Sequence, residues 1–324
     1  MPAAKDNSPI LVVPFMWIGD FVRCQSVLQV LRERFPDRAI DVLSSRLCAP
    51  LTGLMPEVRE TIVADFPRGK LSLGKRRELA GALRARGYGS AYLMLGTFKD
   101  ALAPWLAGIP ERVGWLGEYR YGLLTDIRHG EKQVENLGRR CVLLALPADA
   151  PRDAPVPPPR LTVTDAQRAG WKRANGIAGD GRPLLAIAPG CNDPVRTWPI
   201  ERFAALARLA ADDGMRIAVM GGPAEKELAA RIAAEAGEAV HDFTGTDLYQ
   251  AALQAAAADV LAANDSGLLH LGAATGTPAV AIYCGSSHAH TGPLNPDVVP
   301  IGSRTRDVSP QEAFAAVQGA LKPR

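Results

Sequence analysis

Between residues 147 and 159 the chain reads Pro-Ala-Asp-Ala-Pro-Arg-Asp-Ala-Pro-Val-Pro-Pro-Pro. Proline has no backbone N–H and a fixed φ, so six prolines in thirteen residues can continue neither a helix nor a central strand. The stretch predicts an extended linker near the middle of a 324-residue chain. Everything else must fold on one side of it or the other. Residues 1–150 and 160–324 are each an ordinary size for one domain.

Both halves carry the same alternation. Short apolar runs at 10–14, 40–43, 61–63 and 91–95 read as strands, separated by helical periodicity over 21–35, 74–86 and 101–108. After the linker, strand signals at 184–188, 217–221, 260–263 and 279–283 alternate with helices over 200–213, 224–236, 247–257 and 267–275. A last helix over 310–321 belongs to the second half or packs back on the first. Strands alternating with helices of ten to fifteen residues imply βαβ units and mostly parallel sheets. The expectation is an α/β protein of two Rossmann-like, doubly wound domains facing a central cleft. In such sheets ligands bind beyond the carboxyl ends of the strands.

Composition removes several alternatives. With 47% hydrophobic and 22% charged residues the chain can bury a core, which argues against disorder or a coiled coil. No apolar run approaches the ~18–20 residues of a membrane span. The short run before Gly19-Asp20 lacks a signal-peptide cleavage pattern. Five scattered cysteines match neither a disulfide framework nor a Cys-x-x-Cys metal site, and read as a reduced, cytosolic protein.

Net charge is only +3, but it is unevenly placed. Residues 1–150 hold 21 Lys+Arg against 16 Asp+Glu, and residues 151–324 hold 16 against 18. Arg68, Lys70, Lys75, Arg76, Arg77, Arg84 and Arg86 are offset within their span by Glu78 alone. This is either a solvated helix face or a surface that meets a phosphorylated substrate or membrane headgroups. Nucleic acid is disfavoured, because no aromatic residues interleave the charge.

Four strand ends carry chemistry. Trp17-Ile-Gly-Asp20 follows the first strand, and its carboxylate is either a helix cap or a general base at the cleft edge. The turn lacks Gly-x-Gly-x-x-Gly and places negative charge where a pyrophosphate would sit, which disfavours a dinucleotide site there. Asn264-Asp-Ser-Gly-Leu-Leu-His270 opens a helix whose N–H groups would bind an anion, with His270 near the same ligand or in the core. In the loop Pro189–Pro199, Arg196 is an exposed arginine or a fork for a diphosphate. Gly221-Gly-Pro-Ala-Glu225 lets a ligand approach the backbone, and Glu225 accepts ribose hydroxyls or favours a helix dipole. His288-Ala-His290 has no third ligand pattern, so no metal site is expected.

Taken in order, these segments resemble the ADP-heptose–lipopolysaccharide heptosyltransferases over nearly the whole chain. The resemblance rests on Trp17-Ile-Gly-Asp20 with Gln25-Ser26, Asp41-Val42, Met55-Pro-Glu-Val58, Phe98-Lys99, Ala107-Gly-Ile-Pro110, Gly114-Trp115 and Arg120-Tyr-Gly-Leu-Leu124. In the second half it continues through Pro189-Gly190, Trp198-Pro199, Gly221 to Glu225, Asn264 to His270 and Thr291-Gly-Pro293. It implies a GT-B fold and an inverting, metal-independent enzyme with no cofactor beyond its ADP-heptose donor. The heptose of ADP-L-glycero-D-manno-heptose would pass to the lipopolysaccharide inner core, on heptosyl-Kdo2-lipid A, at the cytoplasmic face of the inner membrane.

By the same resemblance Asp20 is the base. Gly190, Asn192, Arg196, Asp265, Ser266, Gly267 and His270 surround the donor diphosphate and sugar, Glu225 meets the ribose, and the backbone near Thr246 meets adenine. Lys99 and Arg120, with Arg68 and Lys70 of the basic segment, face the anionic acceptor. Arg196 stands where the family usually has lysine, which keeps the charge. The alternatives are another GT-B nucleotide-sugar enzyme, including an epimerase, or a non-catalytic nucleotide-binding module.

Overall fold

The chain divides by its contacts at Pro157/Pro158, and each unit is built on one six-stranded sheet in which every paired strand is parallel. The structure, a computed structural model, describes residues 7–67, 69–177, 179 and 181–321. Within the linker segment 147–159 there is neither helix nor strand, as the prolines dictate.

The N-terminal unit runs β1 (Ile10–Val13), α1 (Ile18–Arg23), α2 (Gln25–Arg34), β2 (Ile40–Ser44), β3 (Val58–Val63), α3 (Leu73–Arg84), β4 (Ser90–Leu93), α4 (Phe98–Leu106), β5 (Glu111–Trp115), β6 (Asp126–Arg128) and α5 (Leu137–Ala145). Its strand order is β3-β2-β1-β4-β5-β6. Strands β1, β2 and β4 are buried at every position, as central parallel strands covered on both faces must be. The buried carboxylate on β2, Asp41, takes two bonds from Arg59 and one of 2.6 Å from the Tyr88 hydroxyl. The helix expected over 21–35 is two helices. At Cys24 the chain tightens: its carbonyl accepts from Val27 N–H, three residues on, rather than continuing the α-ladder.

The C-terminal unit runs α6 (Asp165–Ala174), β7 (Leu184–Ala188), α7 (Ile200–Asp212), β8 (Arg216–Val219), α8 (Lys226–Ala236), β9 (Val240–Asp242), α9 (Leu248–Ala257), β10 (Val260–Asn264), α10 (Gly267–Ala274), β11 (Ala279–Ile282), α11 (His288–Thr291), β12 (Val298–Ile301) and α12 (Pro310–Ala320). Strand order is β12-β11-β10-β7-β8-β9. Side-chain caps stop fraying where the sequence supplies them: Thr164 and Gln167 form a capping box on α6, Asp247 caps α9 and Ser309 caps α12. Helix α12 packs on α7 and β11, within its own unit.

Strands β5, β6, β9 and β12 were not among the expected strands, and neither were α5 and α6. Strands β6 and β9 are three residues long, β5 begins with Glu111-Arg112, and β12 contains Pro300. None presents the apolar run that marked the central strands. Both sheets share one winding: the first strand of each is flanked by its second and its fourth. Each therefore has a topological switch point, between β1 and β4 and between β7 and β10, where loops diverge and leave a crevice.

Candidate functional site

At the first switch point Asp20 is the third residue of α1, not its cap, because the capping position belongs to Trp17. A carboxylate in the first turn of a helix is stabilised by the macrodipole. It also pairs with the guanidinium of Arg23, one turn further along and itself buried. From the neighbouring strand β4 the chain enters α4 through Thr97, so that Lys99 is half-buried on its first turn. The N–H of Phe98 donates to Glu118 Oε2 at 2.8 Å. That bond ties the loop after β5 to the start of α4. The two backbones approach so closely that a Cβ on Gly117, whose φ is +53°, would lie 2.0 Å from the Gly96 carbonyl oxygen.

Arg120 corrects one expectation. It is 0% exposed, and its guanidinium donates to the carbonyls of Leu95 and Trp115, with a longer bond to Leu116. Burial pushes its pKa below the ordinary arginine value. A side chain enclosed and committed in this way holds the ends of β4 and β5 together and offers no charge to a phosphate. What it presents instead are its neighbours. Tyr119 stands out from the surface in a left-handed conformation (φ 51°) and Tyr121 is also exposed. With Trp17 and Phe98 they put four exposed aromatic rings on the carboxyl side of this sheet.

The basic segment is likewise divided by burial. Arg68 lies outside the described residues. Lys70, Lys75 and Arg77 are exposed, whereas Arg76 is buried, pairing with Asp100 at 3.4 Å and lying 4.3 Å over the ring of Phe66. Its position in the helical repeat, facing inward beside Leu79 and Leu83, removes it from the charged surface.

The second switch point gathers most of the expected donor residues at successive strand ends. After β7, Asp193 caps a turn through Val195 N–H and accepts from Arg196 Nε at 3.2 Å. Arg196 Nη1 lies 3.6 Å from Asp265 Oδ2, after β10. The same oxygen accepts from Thr291 Oγ1 at 2.9 Å. Buried Asn264 locks the two loops, accepting from Trp198 N–H at 2.9 Å and donating to Pro189 O at 2.7 Å. Ser266 caps α10 by position, but its buried hydroxyl makes no bond to the helix and has no partner among the described residues. Gly267 begins the helix, and its N–H groups and dipole favour an anion there. His270 lies one turn later and is buried.

One strand over, Glu225 folds back across the ends of β7 and β8. Its Oε2 accepts from Gly222 N–H at 2.7 Å, and a Cβ on Gly190 would lie 2.8 Å from its Cγ and Oε1. Glycine at 190 leaves the carboxylate room. Next, Gly245 N–H donates to Gly221 O at 2.9 Å, placing the Thr246 turn after β9 beside the Glu225 turn. Thr246 and Asn192 are exposed.

Sequence reasoning named Thr291 only inside a motif and passed over Asn264 as a brace and Ser286, whose hydroxyl after β11 is buried without a partner among the described residues. The signal for Asn264 was a polar residue ending an apolar strand. Ser286 carried none. Among the described residues no group of three or more His, Cys, Asp or Glu side chains forms a metal site.

A family model described as glycosyltransferase family 9 (heptosyltransferase) matches residues 76–317. Lipopolysaccharide heptosyltransferase 2 of Escherichia coli (strain K12) is 36% identical over 298 residues, spanning 88% of this chain and 85% of that protein. Lipooligosaccharide heptosyltransferase 2 of Haemophilus influenzae is 33% identical over 299 residues, spanning 88% and 86%. The solved structure of E. coli ADP-heptose lipopolysaccharide heptosyltransferase II is 33% identical, covers 97% of this chain with 98% of its own, and matches with a TM-score of 0.87.

Proposed function

The chain belongs to glycosyltransferase family 9, the heptosyltransferases, and from that premise we propose an inverting transfer of heptose from ADP-L-glycero-D-manno-heptose to heptosyl-Kdo2-lipid A. It is a transferase of GT-B fold that uses a nucleotide-sugar donor. The observation that carries the finer reading is the chemistry of the two switch points. One holds a carboxylate, Asp20, and the other an arginine beside a helix N-terminus with an uncommitted serine hydroxyl.

In this mechanism the N-terminal unit holds the acceptor and the C-terminal unit the donor. Asp20 takes the proton from the acceptor hydroxyl as its oxygen attacks the anomeric carbon. The bond from that carbon to the diphosphate breaks on the opposite face, and ADP departs with the electron pair. Arg196 and the start of α10, at Ser266 and Gly267, stabilise the growing negative charge. Asp265, held by Thr291, orients Arg196 and accepts sugar hydroxyls, and His270 supports that corner. Gly190 and Asn192 line the diphosphate, Glu225 the ribose and the Thr246 turn the adenine. Lys99 and Lys70 meet acceptor phosphates. The four exposed aromatic rings offer flat apolar faces to sugar rings.

Because positive charge and a helix dipole already face the leaving group, transfer should persist in chelator. The acceptor places the enzyme in the cytoplasm, peripheral at the inner membrane; among the described residues no helix is long and apolar enough to cross it. The test is incubation with ADP-heptose and a heptose-deficient core acceptor, followed by mass measurement. One heptose gained per acceptor, with ADP released, supports the reading. Conversion of the nucleotide sugar while the acceptor stays unchanged refutes it.

A further inference from the structure

Large apolar side chains are exposed very unequally. Among the described residues nine lie in the N-terminal unit and two in the C-terminal one. Four of the nine are aliphatic: Leu47 on the loop after β2, Val63 at the end of β3, Leu71 on the loop that follows and Leu73 at the start of α3. Those loops are tied together, since Arg46 N–H donates to Asp65 Oδ1 at 3.0 Å and Ala64 N–H to Ser44 O at 2.9 Å.

The loop that carries Leu71 is held from beneath. Buried Arg76 donates from Nε to the Leu71 carbonyl at 2.8 Å while its guanidinium covers Phe66. Ser72, between the two leucines, has a φ of 50°, a backbone conformation that residues with a Cβ seldom adopt. The result keeps Leu71 and Leu73 48% and 39% exposed, flanked by exposed Lys70, Lys75 and Arg77. Glu78 is the sole acid in the sequence between residues 68 and 86.

We propose that this surface docks on an anionic lipid bilayer, with Leu47, Leu71 and Leu73 entering the boundary between headgroups and acyl chains and Lys70, Lys75 and Arg77 lying among lipid phosphates. Aliphatic side chains flanked by a local excess of basic ones match a bilayer, which offers apolar depth beneath a negative surface. A soluble phosphorylated sugar would use the cations and leave the leucines in water. The inference deepens the reading above, from which it takes the lipid-linked acceptor: docking brings the N-terminal unit to the surface where that acceptor lies.

The test uses the full chain and needs no substrate for its first arm. It is co-sedimented with vesicles of phosphatidylglycerol and phosphatidylethanolamine, and with vesicles of phosphatidylcholine alone. Binding to the first and not the second, weakened by salt, is expected. Leu71→Glu with Leu73→Glu should lower partitioning at least tenfold, Lys70→Glu with Lys75→Glu similarly, and Leu71→Phe should retain it. Failure of the wild-type chain to bind anionic vesicles, or equal binding by the leucine pair, overturns the proposal. So does a dimer of the wild-type chain that the leucine pair abolishes, since that assigns the face to a second copy.

The second arm measures transfer to a deacylated, water-soluble acceptor and to its acylated form embedded in vesicles. The leucine variant should be normal on the first and reduced on the second; equal rates on both also overturn the proposal. Absence of transfer by the wild-type chain to either refutes the heptosyltransfer reading, while the vesicle-binding arm still decides the surface.

Discussion

Replacing Asp20 with asparagine separates a base from a structural partner at nearly constant volume. The Arg23 and Asp20 side chains are 8% and 27% exposed and paired. Asparagine keeps an oxygen that can accept from Arg23 but loses the charge. The bond that remains is still one to the charged guanidinium, so what is lost is chiefly the attraction between two charges in a partly exposed pair, about 1 kcal/mol. Losing negative charge in the first turn of α1 adds roughly 0.3–1 kcal/mol. The sum, about 1–2 kcal/mol, should lower the melting point of the N-terminal unit by a few degrees. Transfer should fall far more, by ~10²–10⁴, because an amide cannot take the acceptor's proton. ADP affinity should not change, since the proposed donor groups belong to the other unit.

The assay pairs calorimetric ADP binding with initial transfer rates, taken well below the variant's melting point. Arg23→Gln is the control: it removes the same ion pair but leaves the carboxylate. It should show a similar loss of stability and transfer within tenfold of wild type. If Asp20→Asn also stays within tenfold, Asp20 is not the base. If Arg23→Gln fails as deeply as Asp20→Asn, the rate belongs to the pair and the base assignment is wrong.

Arg120→Met should destabilise the N-terminal unit by about 2–4 kcal/mol, because it strands buried carbonyls that cost ~1–3 kcal/mol each; urea titration measures this. A raised acceptor KM without loss of stability would return Arg120 to the acceptor site. Gly190→Ala should push the Glu225 carboxylate aside, leave the melting point nearly unchanged and weaken ADP binding about tenfold, or ~1.4 kcal/mol; an unchanged Kd removes Glu225 from the ribose. Burial holds the His241 pKa below its ordinary 6.5. The unfolded chain therefore binds that proton first, so the stability His241 contributes is complete above pH 6.5 and is lost as pH falls through its lowered folded value. His241→Gln should flatten the fall in melting point between about pH 7 and 5, and an identical slope would show that other groups carry it.

The central strands were legible because strands buried on both faces need uninterrupted apolar runs, and 10–14, 40–43, 91–95, 184–188, 217–221, 260–263 and 279–283 supply them. Strands β6 and β9 were not, because three residues at a sheet's outer edge need no such run. They are strands because a neighbour offers them a ladder. Sequence also put Asp20, Arg196 and Glu225 just after strands. Within one parallel sheet such ends lie on one edge, so Arg196 and Glu225, which follow strands of the same sheet, come to one edge of it.

Charge type could be read from the sequence, but charge exposure could not. Arg76, Arg77 and Arg120 are alike as letters, yet two are buried and one is exposed, and no short window around them says which. The linker, the βαβ alternation and the residues at the central strand ends follow from local rules: proline's missing N–H, the period of a helix and the apolar demand of a covered strand. Whether an arginine braces two strands or faces solvent depends on which carbonyls, rings and carboxylates reach it from elsewhere in the chain. Leu95 and Trp115 enclose Arg120, and Phe66, Leu71 and Asp100 enclose Arg76. Those contacts exist only once the sheet has set its strand order, because only then do residues distant in sequence become neighbours.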